Sequence, residues 1–422
     1  MARKESARLE FKGKPTRTYL KTVSAYANYE GGKIVFGVDD KGNPIGLEGD
    51  LADIALSIEN AVNDALDPVP HFSLDADEKT RTVTLTVYEG IGKPYLYQGK
   101  AFRRNDTATV QVDRLELKRL VLAGSNMTFD EAPASDKDLS FSELGRRLKD
   151  ELGLDAVGQD VMRTLGLVNR DGTYSNAAAL LADDNSFGGC DIIRFGDTVS
   201  DILERQTHVG VSALLQFERV LAMYETYYCV ERVEGVRRKR VELVPTEAFR
   251  ETLANALVHR EWDVPANITI GMYPDRIEVT SPGTLPAGIT RDEFVDGMVS
   301  VLRNPILANV FFRLKLIEKF GTGTMRIKEA YRGNVEQPQF LVRDASVTVV
   351  LPVIGSLELP EGDELTVFQA LSASSAMTRV QIQERTGFSK DKVIRLLDGL
   401  ERRCLIERQG RGRATTYRRP GA

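Results

Sequence analysis

A polar stretch, SNMTFDEAPASDKDLS at 125–140, interrupts a chain otherwise patterned for burial, so whatever folds on either side of it must close a core of its own. A length of 422 residues suits about two to four domains. An apolar share of 42% is enough for real cores and excludes a disordered chain. The net charge of -5 excludes a uniform polycation, so any contact with nucleic acid has to come from local patches.

Three blocks follow, with residues 124–140 as a linker. In the first, residues 1–123, TYLKTVSAYANYEGG (18–32) has apolar positions at helical spacing and stops at Gly31-Gly32. KIVFGVDDKGNPIGL then predicts a strand, a turn and a short return strand. DLADIALSIENAVNDAL predicts a second helix, and HFSLDAD with TRTVTLTVYEG predicts paired strands. The second block, 141–356, mixes helices (FSELGRRLKDEL, EAFRETLANALVH) with strands (NITIGMY, RIEVTS, SVTVVLP). The fold class is therefore α+β and multidomain.

The third block, 361–420, reads as DELTVFQALSAS, TRVQIQERTG and SKDKVIRLLDGLERRCLI, three helices with Ser389 as N-cap of the last. Two strand-like pieces around Gly410 and Gly412 complete it. Helix, helix, turn, helix, ribbon is the order of a winged helix. Seven arginines against one acid, Glu407, follow from Arg402 onward, which makes the ribbon cationic. Candidate groove residues are Ser389, Lys390, Lys392 and Arg395, with Arg411 and Arg413 on the wing. The bland alternative is a helical dimerisation module with solvated arginines.

The cysteines, Cys190, Cys229 and Cys404, are far apart and match no metal-ligand spacing. They predict buried thiols in a reducing cytosol. No apolar run approaches a membrane span, and MARKESARLE lacks the apolar core of a signal peptide, so a cytoplasmic location is expected.

The first turn of the chain poses a chemical question. Between Arg3 and Lys21 lie seven basic residues and two acids, Glu5 and Glu10. A basic surface attracts phosphate, and carboxylates inside it repel phosphate unless a metal intervenes or they simply neutralise their neighbours. ESARLEFK, SAYANYEGGKIVFGVDDKGNPIGL and KPYLYQGKAFRRNDTAT resemble, in that order, the Schlafen-type AlbA-like domain. The resemblance implies nucleic-acid binding through DNA or RNA, with Lys12, Arg103 and Arg104 as contacts. It also implies an alternative activity, a metal-dependent endoribonuclease. Glu5, Glu10 and Asp40 would be its catalytic residues and would hold Mg²⁺ or Mn²⁺, with Asp39 the neighbour that could replace Asp40. Three carboxylates suit such oxygen-preferring ions, which activate water and polarise a phosphodiester. Asp39 and Asp40 also precede Lys41-Gly42, where acids are routine turn residues. No GxxxxGK[ST] phosphate loop occurs.

VPTEAFRETLANALVHREW, NITIGMYPDRIEVTSPGTLP and LRNPILANVFFRLKLIEKFGTGTMRI resemble the ATPase-like C-terminal region of RecG-like regulators, related to the GHKL (Bergerat-type) α/β sandwich. Glu251, Asn255 and His259 recur every four residues and so share a helix face. The resemblance implies an ATP site in which Glu251 and Asn255 activate water and hold Mg²⁺, while Gly321 and Gly323 close over phosphates. Ser281-Pro282-Gly283 departs from the aspartate-containing DxG that reads adenine, which removes its main hydrogen-bond acceptor. A core helix whose polar face bonds nearby loops is the plainer reading of that segment. GVRRKRVEL (235–243) adds four basic residues in a row, expected on a solvated loop. The whole predicts a DNA-binding transcriptional regulator, acting as a homodimer because paired half-sites multiply affinity.

Overall fold

The computed structural model describes residues 4–154, 158–196, 198–234, 237–286, 288–297, 301–317, 322–354, 362–371, 376–402, 406–410 and 415–418. Gly321, Cys404, Arg411 and Arg413 lie outside these residues, as does Gly412. Two compact units emerge: Met1–Leu139 with Gly158–Ala179 and Arg303–Asn309, and Ser140–Val157 with Leu180–Leu302 and Val310–Ala422.

The first unit holds a four-stranded sheet in the order Leu9–Lys12, Gly32–Phe36, Thr82–Val87, Phe72–Asp77. The first two strands are parallel, joined by the helix Tyr19–Asn28, and the other pairings are antiparallel. Tyr19, Leu20, Val23 and Tyr26 from that helix pack with Ile34, Phe36, Val83 and Leu85 from the sheet and Ile58 and Val62 from the helix Leu51–Ala65. The two glycines act differently. Gly31 takes φ +72°, and a Cβ on Gly32 would lie 2.5 Å from the Tyr26 ring. Only glycine satisfies both demands. The helix Arg114–Gly124 follows, started by a reciprocal capping box between Asp113 and Glu116.

The segment expected to be a linker is instead packed. Ala134 N donates to Tyr174 O, Asn176 N donates to Ala132 O, and Asp130 is fully buried. The Asp130 carboxylate accepts from Ile306 N (2.8 Å), Leu307 N (3.0 Å) and Thr128 Oγ1 (2.6 Å). Burial outweighs these hydrogen bonds and pushes its pKa up to about 6. The folded chain therefore holds this proton more tightly than the unfolded chain does. The resulting stability is complete below about pH 4 and is lost as pH rises through 6. Asp130→Asn keeps an acceptor oxygen, so unfolding titrations should show the variant gaining on the wild type by up to roughly 3 kcal/mol between pH 4 and 7. A constant difference across that window would count against this account.

The second unit is built on a six-stranded sheet in the order Ile202–His208, Cys190–Phe195, Ile268–Met272, Arg276–Pro282, Ser346–Pro352, Gln339–Val342. Cys190–Phe195 and Ile268–Met272 are parallel, and the remaining neighbours are antiparallel. The helices Ala213–Tyr228 and Thr246–His259 bury Phe217, Val220, Tyr224, Phe249, Leu253 and Leu257. Tyr224 stacks on Phe249 with ring centres 4.3 Å apart and runs parallel to Tyr228 at 6.0 Å. Directly after Tyr228, Cys229–Glu234 and Arg237–Glu242 form a separate antiparallel ribbon, where the sequence predicts a solvated loop.

The C-terminal elements are the helix Gly362–Ala370, the short strand Met377–Thr378, the helices Arg379–Thr386 and Lys390–Arg402, and the strands Glu407–Gln409 and Thr416–Arg418. The strand order is Met377–Thr378, Thr416–Arg418, Glu407–Gln409. Val367, Phe368, Ile382, Val393, Leu396, Leu397, Leu400 and Tyr417 share one core. Gly387, at φ +71°, ends the second helix, and Val393 N donates to Ser389 O at the start of the third. No described helix is long and apolar enough to cross a membrane.

Candidate ligand cavity and nucleic-acid interface

Glu10 sits on the strand Leu9–Lys12 and is only 5% exposed. Its carboxylate pairs with Arg104 at 2.6 Å and Lys12 at 2.9 Å, and it accepts from Thr22 Oγ1 at 2.8 Å. Arg104, its side chain 6% exposed, also donates to Thr109 Oγ1 (2.8 Å) and Ser6 O (3.3 Å). Glu5 accepts from Phe11 N at 2.8 Å. The two glutamates therefore neutralise cations and tie down the first strand. Asp40 is exposed, and Asp39 holds the turn by accepting from Lys41 N, Asn43 N and Asn43 Nδ2. The Asn43 side chain first, then its backbone, holds the Asp39 carboxyl below the usual range.

Among the described residues no group of three or more His, Cys, Asp or Glu side chains is placed to hold a metal ion. Glu10, one of the three carboxylates, is matched by two cations, Arg104 and Lys12. Lys12 and Arg104 both pair with Glu10, and exposed Arg103 pairs with Glu116 at 3.3 Å.

The helix Thr246–His259 forms one wall of a cavity of about 490 Å³. The four-residue spacing brings Glu251, Asn255 and His259 to that wall, as the sequence predicts. Asn255 Nδ2 donates to Glu251 Oε1 at 3.2 Å. Gly323, at the start of the helix Gly323–Ala330, closes on the pair. A Cβ there would lie 2.5 Å from Glu251 Oε1 and 2.6 Å from Asn255 Nδ2. Val279, Phe340, Val347 and Val349 from the sheet and Phe294 and Ile327 from the flanking helices supply the apolar lining. Ser281 also lines the cavity, and its hydroxyl donates to Ala256 O at 3.1 Å. Thr252 was not singled out in the sequence: it is 2% exposed, and its hydroxyl has no hydrogen-bond partner among the described residues. Its place next to Glu251 carries no periodic signal that could have marked it.

At the C-terminal end, Ser389, Lys390 and Arg395 are exposed, as are Asp391 and Asp398. Lys392 is half-buried. It pairs with Asp363 at 2.6 Å and lies 4.0 Å above the Phe388 ring, so it braces the module internally.

Two stretches of the chain match domain-family models. Residues 5–113 match the model for the Schlafen AlbA_2 family, and residues 266–351 match the model described as "Putative ATP-dependent DNA helicase recG C-terminal". The second match begins beyond the helix that carries Glu251 and Asn255. Among solved structures, the DIP2311 protein from Corynebacterium diphtheriae is similar at 19% identity and a TM-score of 0.49, over 98% of this chain and 92% of that chain. The N-terminal domain of a "Putative ATP-dependent DNA Helicase RecG-related Protein" from Nitrosomonas europaea is similar at 23% identity and a TM-score of 0.20, over 26% of this chain and 84% of that domain. No curated protein matches the sequence.

Proposed function

We propose that this chain is a DNA-binding transcriptional regulator whose C-terminal module is a winged helix and whose middle domain senses a small molecule. The observation that carries the reading is the third helix of the module. Lys390–Arg402 buries Val393, Leu396, Leu397 and Leu400 in the module core and leaves Ser389, Lys390 and Arg395 in solvent at its N-terminal half. A helix held by one face and exposed on the other suits the major groove, with its early residues against the base edges. The order of the short strands supports a wing beside it. Exposed Asp391 and Asp398 repel phosphate, so the contact is narrow and base-directed in character. A homodimer on paired half-sites completes the proposal. The AlbA-type domain would contribute a second nucleic-acid contact, with Lys12, Arg103 and Arg104 as its candidate residues.

Fluorescence anisotropy with duplex DNA at several salt concentrations tests the reader. Arg395→Ala should weaken sequence-specific binding by about 1–3 kcal/mol. Lys390→Ala should lower the salt slope by about one unit and weaken binding on all sequences alike. Unchanged affinity and slope in the double variant would remove this helix from the interface.

A further inference from the structure

The polar groups on the wall of the middle-domain cavity are largely spent inside the fold. Asn255 Nδ2 donates to Glu251 Oε1 at 3.2 Å, and a Cβ on Gly323 would lie 2.5 Å from that oxygen, so the pair sits tight under the start of the helix Gly323–Ala330. Glu251 and His259 are the titratable side chains among the described lining residues, and each has further interactions within the fold. Ser281 gives its hydroxyl to Ala256 O at 3.1 Å. What this leaves for a ligand is an apolar surface, from Val279, Phe294, Ile327, Phe340 and Val349. Val301 and Leu302 also line the cavity and are exposed, so the apolar lining continues out to solvent. A volume of about 490 Å³ lies within the range of small-molecule sites, about 300–1,000 Å³.

Thr252 is the exception on this wall. It lines the cavity, is 2% exposed, and its hydroxyl has no hydrogen-bond partner among the described residues. A threonine inside a helix commonly returns its hydroxyl to the carbonyl four residues back, here that of Ala248, and Thr252 does not. A buried hydroxyl left unpaired carries its full desolvation cost, which a bound acceptor would offset. We propose that this cavity binds a neutral, mainly apolar small molecule bearing a carbonyl oxygen, with its apolar body against the sheet and its carbonyl accepting from Thr252 Oγ1. The inference rests on the effector role assigned to the middle domain and names the class of effector. A neutral ligand asks for no counter-ion, which suits a wall whose carboxylate and imidazole are already engaged. Burial of the apolar body supplies the affinity, and the single hydroxyl fixes the orientation.

Fluorescence titrations of the full-length chain test the inference with two neutral naphthalene probes. Prodan carries a propionyl ketone, and N,N-dimethyl-2-naphthylamine lacks it. Both should bind saturably, and Prodan emission should move to the blue as the dye leaves water. Thr252→Val keeps the shape of the side chain and removes the hydroxyl. It should weaken Prodan by about 3- to 10-fold and leave the ketone-free probe within about twofold. Should that variant fold poorly, Val349→Phe fills the cavity from the sheet side and should abolish binding of both probes with circular dichroism unchanged. ATP–Mg²⁺ at millimolar concentration should not displace Prodan. No saturable binding, a Thr252→Val variant that treats the two probes alike, retention of both probes by Val349→Phe, or displacement by ATP–Mg²⁺ would overturn the proposal. DNA affinity measured on the same samples reports on the reader alone, so failure of the effector assignment is distinguishable from failure of the DNA-binding reading.

Discussion

Replacing Glu10 with alanine should cost the first unit about 3–5 kcal/mol, because it leaves the Arg104 guanidinium, 6% exposed, buried without its carboxylate. The cost of breaking one side of such a pair exceeds the net worth of the pair itself. A double variant, Glu10→Met with Arg104→Leu, should therefore recover most of the loss. The single tryptophan, Trp262, lies in the second unit, so it does not report on this event. Amide exchange in Gly32–Phe36, the strand paired with Leu9–Lys12, does. A single variant whose exchange protection stays within about 1 kcal/mol of the wild type would show that Glu10 is not the keystone described here. A metal-ligating role predicts the opposite pattern, with stability retained and only cleavage lost.

Leu397→Ala should separate the C-terminal module from everything else. Leu397 is buried among Val367, Val393, Leu400 and Tyr417, and truncating such a side chain costs about 2–5 kcal/mol. A module of about 60 residues has only a few kcal/mol to lose. The expected result is local melting: Lys390–Arg402 loses exchange protection, DNA binding falls to the non-specific level, and the Trp262 emission stays native. Retained sequence-specific binding by a variant with an unprotected third helix would exclude that helix as the reader.

Regular elements were legible in the sequence because their cause is local. The helix Thr246–His259 was announced by its four-residue polar spacing, and Phe72–Asp77 with Thr82–Val87 by alternation. The paired glycines were legible as a stop, although the tight approach of Gly32 to Tyr26 was not. The site residues divide in the same way. Glu251 and Asn255 belong to one helix, and the structure brings them together on the cavity wall. The pairing of Glu10 with Arg104, 94 positions away, left no signal in the sequence. The stretch 124–140 was read as a linker because its composition is polar, yet Asp130 accepts from a backbone amide 176 positions away. The strand Met377–Thr378 is two residues long and shorter than any period that could reveal it.

The stacked rings of Tyr224 and Phe249 join the helix that walls the cavity to the helix Ala213–Tyr228. One side of the helix Thr246–His259 faces the cavity, and Phe249 on the same helix rests on Tyr224, which runs alongside Tyr228 at the foot of the Cys229–Glu234 ribbon. Tyr224 and Phe249, stacked 4.3 Å apart, shift together, because close-packed interiors leave little slack to absorb a displacement. A molecule that tilted the helix on entering would thus press on Tyr224 and, through it, on Tyr228 at the base of the ribbon.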